Sequence, residues 1–286
     1  MDKGASGWLN GFIGVAIFSG SLPATRLAVA GFDPIFLTAA RGVIAGLLAS
    51  VLLIVLRERR PSLSDLLSLL IVAGGVVIGF PLLTAVALQR ITSAHSVVFI
   101  GLLPLATAIF GVLRGAEKPH AAFWLFSCLG SALVTAFAIR DGISVSLRDD
   151  LLMLGAIVVC GLGYAEGAKL SRRLGGWQVI SWALVLALPV TFTLVLSQHH
   201  VPLADVPRSA WIGLAYVSIF SMLIGFIFWY RGLAQGGIAA VGQLQLLQPF
   251  MGLALAAGLL GEPVNFSMIA VTGGVVACVF GARRFA

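Results

Sequence analysis

The stretch LLPLATAIFGVLRGAEKP, residues 102–119, returns in altered form as LQPFMGLALAAGLLGEP, residues 247–263. In each copy a proline, Pro104 or Pro249, opens an apolar run, and a glycine and a glutamate close it, Gly115 with Glu117 and Gly261 with Glu262. The copies stand about half the chain apart, and five apolar runs are counted from one to the other. Five is odd. If every run crosses a membrane, the second copy lies upside down relative to the first, the plan of carriers whose two inverted repeats rock about a site at the bilayer midplane.

The composition requires the membrane. Of 286 residues, 59% are hydrophobic and 10% charged, which would leave a soluble globule coated in apolar surface. A span needs about 20 mostly apolar residues. Ten runs approach that length: Trp8–Ala30, Pro34–Leu56, Leu66–Leu88, Ala94–Leu113, Ala121–Ile139, Leu151–Leu170, Trp177–Leu196, Ala210–Gly232, Ile238–Leu260 and Val264–Ala282. Lipid offers backbone groups no hydrogen bonds, so each run is predicted to be a helix. The expected fold is an all-α integral membrane protein of ten transmembrane helices, with repeats at residues 1–145 and 146–286. The first run lacks a charged region followed by an A-x-A cleavage pattern and is read as a retained span. The connections are too short to hold a soluble domain.

A net charge of +7 would suit a nucleic-acid partner only if the basic residues shared a face. They lie in short connections instead. With the N-terminus inside, the cytoplasmic side receives Arg57, Arg59, Arg60, Arg114, Lys118, Lys169, Arg172, Arg173 and Arg231, with Lys3, Arg283 and Arg284 near the termini. The outer side receives Arg26, Arg90, Arg140, Arg148 and Arg208. The asymmetry predicts both termini in the cytoplasm. Cys128, Cys160 and Cys278 fall inside apolar runs as small hydrophobes, and neither they nor the histidines show metal-ligand spacing. No cofactor or metal is expected, the chain is expected to work as a monomer, and its partners are the bilayer and a small molecule.

These residues carry a resemblance. Phe18-Ser19-Gly20-Ser21 followed by Arg26, Arg41 in the second run, Gly115–Glu117, Gly261–Pro263 and Ser171-Arg172-Arg173-Leu174 occur in an order that resembles the drug/metabolite transporter superfamily in its EamA-type branch. The resemblance covers nearly the whole chain. It implies a basket of two five-helix repeats around a central cavity, and similarity to bacterial inner-membrane exporters of amino acids and related metabolites, aromatic amino acids among them. The chain departs from the family at Phe18, where a tryptophan is usual, and at Glu166, in a run that is otherwise mostly apolar.

Polar side chains at bilayer depth need a reason. The ninth run places Gly242, Gln245, Pro249, Gly252 and Ala256 on one polar-to-small face. Gln245 and Gln248 offer the donors and acceptors a zwitterion needs. Cavity candidates are therefore Ser19, Ser21, His95, Gln245 and Gln248, with Phe80, Phe99, Tyr164 and Trp182 as rings that could wall an apolar pocket or simply pack. Pro104, Pro249 and Gly252 are the candidate hinge and gate positions. Arg41 is expected to reach outward and pair with Asp33. Glu166 has two readings: an ion pair with Lys169 three residues on, or a cavity-facing proton carrier. No Ser/His/Asp set, carboxylate pair or metal motif speaks for a membrane enzyme. A sugar-nucleotide cavity would call for several basic residues, and a lipophilic cation stays open as a substrate class.

Overall fold

A computed structural model describes residues 3–91, 96, 99–139, 146–198, 206–260 and 266–286. Among them all regular structure is helical. α1 runs over Lys3–Ser19, breaks at Gly20 and resumes as Ser21–Val29; α2 is Pro34–Val55. α3 comprises Leu63–Val72, a π-helical stretch Ala73–Gly79 and Phe80–Ala87. α4 is Leu103–Gly115, α5 Ala121–Ile139, α6 Leu147–Leu174 and α7 Gly176–Ser197. α8 comprises Arg208–Ala215, a π-helical stretch Tyr216–Gly225 and Phe226–Gly236. α9 starts as Ile238–Gly242, tightens to a 3-10 helix over Gln243–Leu247 and continues as Gln248–Leu260; α10 is Phe266–Phe285.

By length and composition six helices among the described residues can cross a membrane: α1, α2, α3, α6, α7 and α8. α4 and Ala121–Phe137 of α5 are shorter apolar helices. The outward faces match a lipid solvent, with Leu47, Val51 and Ile54 exposed along α2 and Leu151, Leu154 and Val158 along α6. Because lipid tails are as apolar as leucine, what holds such helices together is close packing. α2 lies along α7, where a Cβ on Gly42 would come 2.7 Å from Thr191 and one on Gly46 2.7 Å from Leu188. α1 packs on the second half of α8, α3 and α4 on α6, and α5 on α10. One large buried core joins α1, α3, α6, α7, α8 and α9.

Polar contacts show which helix ends meet. Arg173, at the end of α6, pairs with Asp65 at the start of α3. Arg172 reaches Glu117 beyond α4 at 2.8 Å. Glu58, beyond α2, accepts from Gln178 at the start of α7 at 3.3 Å. The start of α5 bonds the end of α10 through His120 N–H to the Phe285 carbonyl at 2.9 Å. Arg283 stacks over the Trp8 ring at 4.6 Å, so the start of α1 and the end of α10 lie at this same ion-pair end.

Candidate functional site

A narrow cavity of about 40 Å³ lies between the helices, away from the ion-pair end. α1 gives it Phe18, Ser21, Leu22 and Thr25, α2 gives Arg41, and α3 gives Val76, Phe80, Pro81 and Thr84. Ile100 and Leu103 at the start of α4, Tyr164 of α6, Ser221 and Phe226 of α8 and Gln248 of α9 complete the wall. Among the described residues, several irregular stretches of backbone border it: Ser21 follows the break in α1, Val76 and Ser221 lie in the π-helical stretches of α3 and α8, Ile100 and Leu103 flank the turn before α4, and Gln248 follows the 3-10 segment in α9. Non-helical backbone at bilayer depth is tolerated where it lines a cavity or is buried in protein.

The break in α1 shows how sequence builds this wall. Gly20 carries no Cβ, and one built there would collide with the Tyr216 hydroxyl. That hydroxyl donates to the Ile17 carbonyl at 2.7 Å, and the Gln248 side-chain amide donates to the Phe18 carbonyl at 3.3 Å. α8 and α9 thus supply the hydrogen bonds that carbonyls near a helix break require. One residue on, Ser21 donates to the Ser221 hydroxyl at 2.8 Å. The cavity therefore holds a hydroxyl pair, an amide oxygen, and the Arg41 guanidinium, whose side chain is 7% exposed and whose Nε has no partner. Thr84 is bonded locally, to the Phe80 carbonyl at 2.7 Å.

Aromatic rings close the cavity toward the ion-pair end. Phe18 and Phe226 stand 5.0 Å apart, Tyr164 lies 5.8 Å from Phe226 and 5.5 Å from Trp229, and Phe226 lies 5.4 Å from Tyr230. Trp229 and Tyr230 are wholly buried, and the Tyr230 hydroxyl donates to the Gly163 carbonyl at 3.1 Å. Beyond these rings sits Glu166, also wholly buried, which pairs with Arg114 and accepts from Ser68 at 2.9 Å. Glu117 seals the α4–α9 contact. Ala116 takes a left-handed conformation at φ 56°, which turns the Glu117 carboxylate onto the amides of Ile238 and Ala239, each at 2.7 Å. Gly237, at φ 92°, sets the entry into α9. A carboxylate at a helix start meets unbonded N–H groups and the positive end of the helix dipole.

The structure gathers Ser21, Phe80, Tyr164 and Gln248 at the cavity and sends other expected residues elsewhere. Ser19 is buried and donates to the Val15 carbonyl in its own helix at 2.8 Å. Phe99 and Trp182 pack against the main core. Gln245 is 1% exposed and faces the Tyr164 hydroxyl, but neither of its amide atoms reaches hydrogen-bonding geometry with any group. Pro104 and Pro249 do not interrupt helices; each stands in the first turn of a helical segment that follows an irregular stretch. A Cβ on Gly252 would lie 3.2 Å from the Ser19 carbonyl, at the contact of α9 with α1. His95 and Gly261–Pro263 lie outside the described residues.

Two charged residues correct the sequence reading. Glu166 takes its cation from Arg114 of α4, not from Lys169, because the bundle brings α4 across α6 at that level. Arg41 does not pair with Asp33, whose carboxylate caps α2 by accepting from Ile35 N–H at 2.8 Å and Phe36 N–H at 3.3 Å. The signal was present in the sequence: aspartate directly before proline marks a capped helix start, which occupies the proposed partner. Phe226, a cavity residue that the sequence reading missed, matches Phe80: each directly follows a π-helical stretch, in the tripeptides Ile78-Gly79-Phe80 and Ile224-Gly225-Phe226.

The profile of the EamA-like transporter family matches residues 5–137 and again residues 147–283. The chain belongs to the EamA-like transporter family. It is 64% identical over its full length, and over the full length of the relative, to the uncharacterized transporter YdeK of Bacillus subtilis (strain 168). It is 22% identical to the uncharacterized transporter sll0355 of Synechocystis, over 86% of this chain and 80% of that one. A crystal structure that is 17% identical superposes with a TM-score of 0.81 over 98% of this chain and 99% of its own, a likeness of fold. This EamA-like chain is therefore a multi-pass helical membrane protein and a transporter.

Proposed function

We propose that this EamA-like transporter exports small zwitterionic metabolites, above all amino acids, with broad tolerance for aromatic, hydrophobic and other neutral side chains. The carrying observation is the cavity, where hydroxyl, amide and guanidinium groups share the wall with Phe18, Phe80, Tyr164 and Phe226. Such a mixture suits a charged backbone and an apolar side chain at once. A single guanidinium speaks against a sugar nucleotide, whose phosphates need several cations. No carboxylate lines the cavity among the described residues, which speaks against a lipophilic cation. The reading is of a carrier and not of a membrane enzyme.

In this reading ten helices form two inverted repeats, residues 1–145 and 146–286, in a bacterial inner membrane with both termini inside. Three observations support it. The family profile matches each half; π-helical stretches in α3 and α8 each end on Ile-Gly with a phenylalanine next; and α1 packs on α8 as α6 packs on α3. The ion-pair end, which carries the start of α1, the end of α10 and the basic connections, then faces the cytoplasm and is shut in this conformation. Transport alternates access by opening it while the far end closes. Glu166 is the candidate proton carrier, since protonation would release Arg114. The test is uptake into liposomes of phenylalanine, methionine, threonine, a sugar nucleotide and a lipophilic cation, with and without a pH gradient. Saturable amino-acid uptake is expected; uptake of the nucleotide or the cation alone would replace the substrate class.

A further inference from the structure

Arg41 sits eight residues into α2, counting Pro34 as the first, or about 10 Å along the helix at 1.5 Å per residue. A guanidinium at that depth keeps its charge, and an unneutralised charge away from water is costly. Among the described residues it makes no ion pair, its Nε is without a partner, and the cavity it lines contains no carboxylate. Asp33, the acidic residue nearest in sequence, is committed to the α2 amides. Asp65, Glu117 and Glu166 are held by arginines at the ion-pair end.

We infer that Arg41 is the receptor for a substrate carboxylate, so that the cavity selects small monocarboxylic acids and admits amino acids as members of that class. The inference rests on the cavity being the transport site. A guanidinium fork matches one carboxylate with two parallel N–H donors. Among the described lining residues a substrate ammonium finds only neutral side-chain acceptors, chiefly the Ser21–Ser221 hydroxyl pair and the Gln248 amide oxygen. The cavity's fixed charge is thus one-sided. The carboxylate is required and the ammonium is dispensable, so hydroxy and oxo acids with the same apolar tail belong to the same substrate class.

The test is calorimetric binding of phenylalanine, phenylalaninamide and 3-phenylpropionate to the purified full-length protein, wild type, Arg41→Lys and Arg41→Gln, with thermal unfolding as the folding control. The wild type is expected to bind 3-phenylpropionate within about fivefold of phenylalanine and to bind phenylalaninamide at least about fiftyfold more weakly, the range a lost charge-assisted pair produces. Arg41→Gln should erase the preference for the acids, while Arg41→Lys, which keeps the charge, should retain it at reduced affinity. Equal binding of phenylalanine and its amide would overturn the carboxylate receptor and leave the amino-acid reading standing. Binding of 3-phenylpropionate without phenylalanine, lost in Arg41→Gln, would uphold the receptor and overturn the amino-acid reading. No binding of either acid by the wild type would overturn the receptor.

Discussion

Glu166 joins α3, α4 and α6 at the ion-pair end, beside the Asp65–Arg173 and Glu117–Arg172 pairs. It is wholly buried, takes Arg114 from α4 and Ser68 from α3, and stands directly behind the aromatic floor of the cavity. Glu166→Gln removes the charge and keeps the amide-sized shape, so it should weaken the closed state by about 1–2 kcal/mol, the value of a charge-assisted bond to a partly exposed arginine. Cys160 reports this, being wholly buried in α6. In a Cys128→Ser, Cys278→Ser background its reaction with a permeant maleimide should be faster in Glu166→Gln than in the parent. If Glu166 also carries the proton, the same variant loses its response to an imposed pH gradient while Arg114→Gln keeps it; a retained response in Glu166→Gln removes the proton role. The sequence placed Glu166 at the right depth but not beside Arg114, because fifty-two residues separate them and helix periodicity describes only neighbours within a turn. Arg41 was misread for a related reason: its distance from the helix start was legible, whereas which side of α2 faces the cavity depends on α1, α3 and α8.

Several helices stop being regular beside the cavity. α3 and α8 each pass through a π-helical stretch, α1 breaks at Gly20, and Pro104 and Pro249 follow non-α stretches in α4 and α9. Proline in a first turn costs no hydrogen bond and fixes the entry of the chain. Replacing it with alanine returns an N–H through which a continuous helix can bridge the irregular stretch. Pro104→Ala and Pro249→Ala should therefore each slow transport severalfold with little change in affinity, whereas Gln248→Ala should weaken affinity by about 1–3 kcal/mol for the lost buried hydrogen bond. Initial uptake rates and equilibrium binding of phenylalanine separate the two effects. Wild-type rates in both proline variants would remove the matched hinges. The helical character of the apolar runs was legible, and the two prolines were legible as recurring in matching stretches of sequence. The π-helical stretches were not, since hydropathy does not distinguish one extra residue in a turn, although the repeated Ile-Gly-Phe marks both.

At the scale of the whole molecule, the apolar runs and the family pattern were legible because lipid imposes helices and exposed leucines on any chain that crosses it. The cavity was only partly so, as Ser21, Phe80, Tyr164 and Gln248 reach it while Ser19, Phe99 and Trp182 serve packing. The clustering of the start of α1 and the end of α10 at the ion-pair end fixes an expected topology. Exposed Ser64 and Lys118, each changed to cysteine in a Cys-free background, should resist an impermeant thiol reagent in intact cells, and exposed Arg148 and Ser197 as cysteines should react; the reverse pattern would invert the carrier. In the proposed function, amino acids pass through this cavity. Leu22 lines it, and Leu22→Trp fills its space without adding charge. Saturable uptake of labelled phenylalanine by wild-type proteoliposomes, lost in Leu22→Trp while thermal unfolding stays unchanged, is the predicted result. Equal uptake by the two proteins, or none above empty liposomes by the wild type, would contradict it.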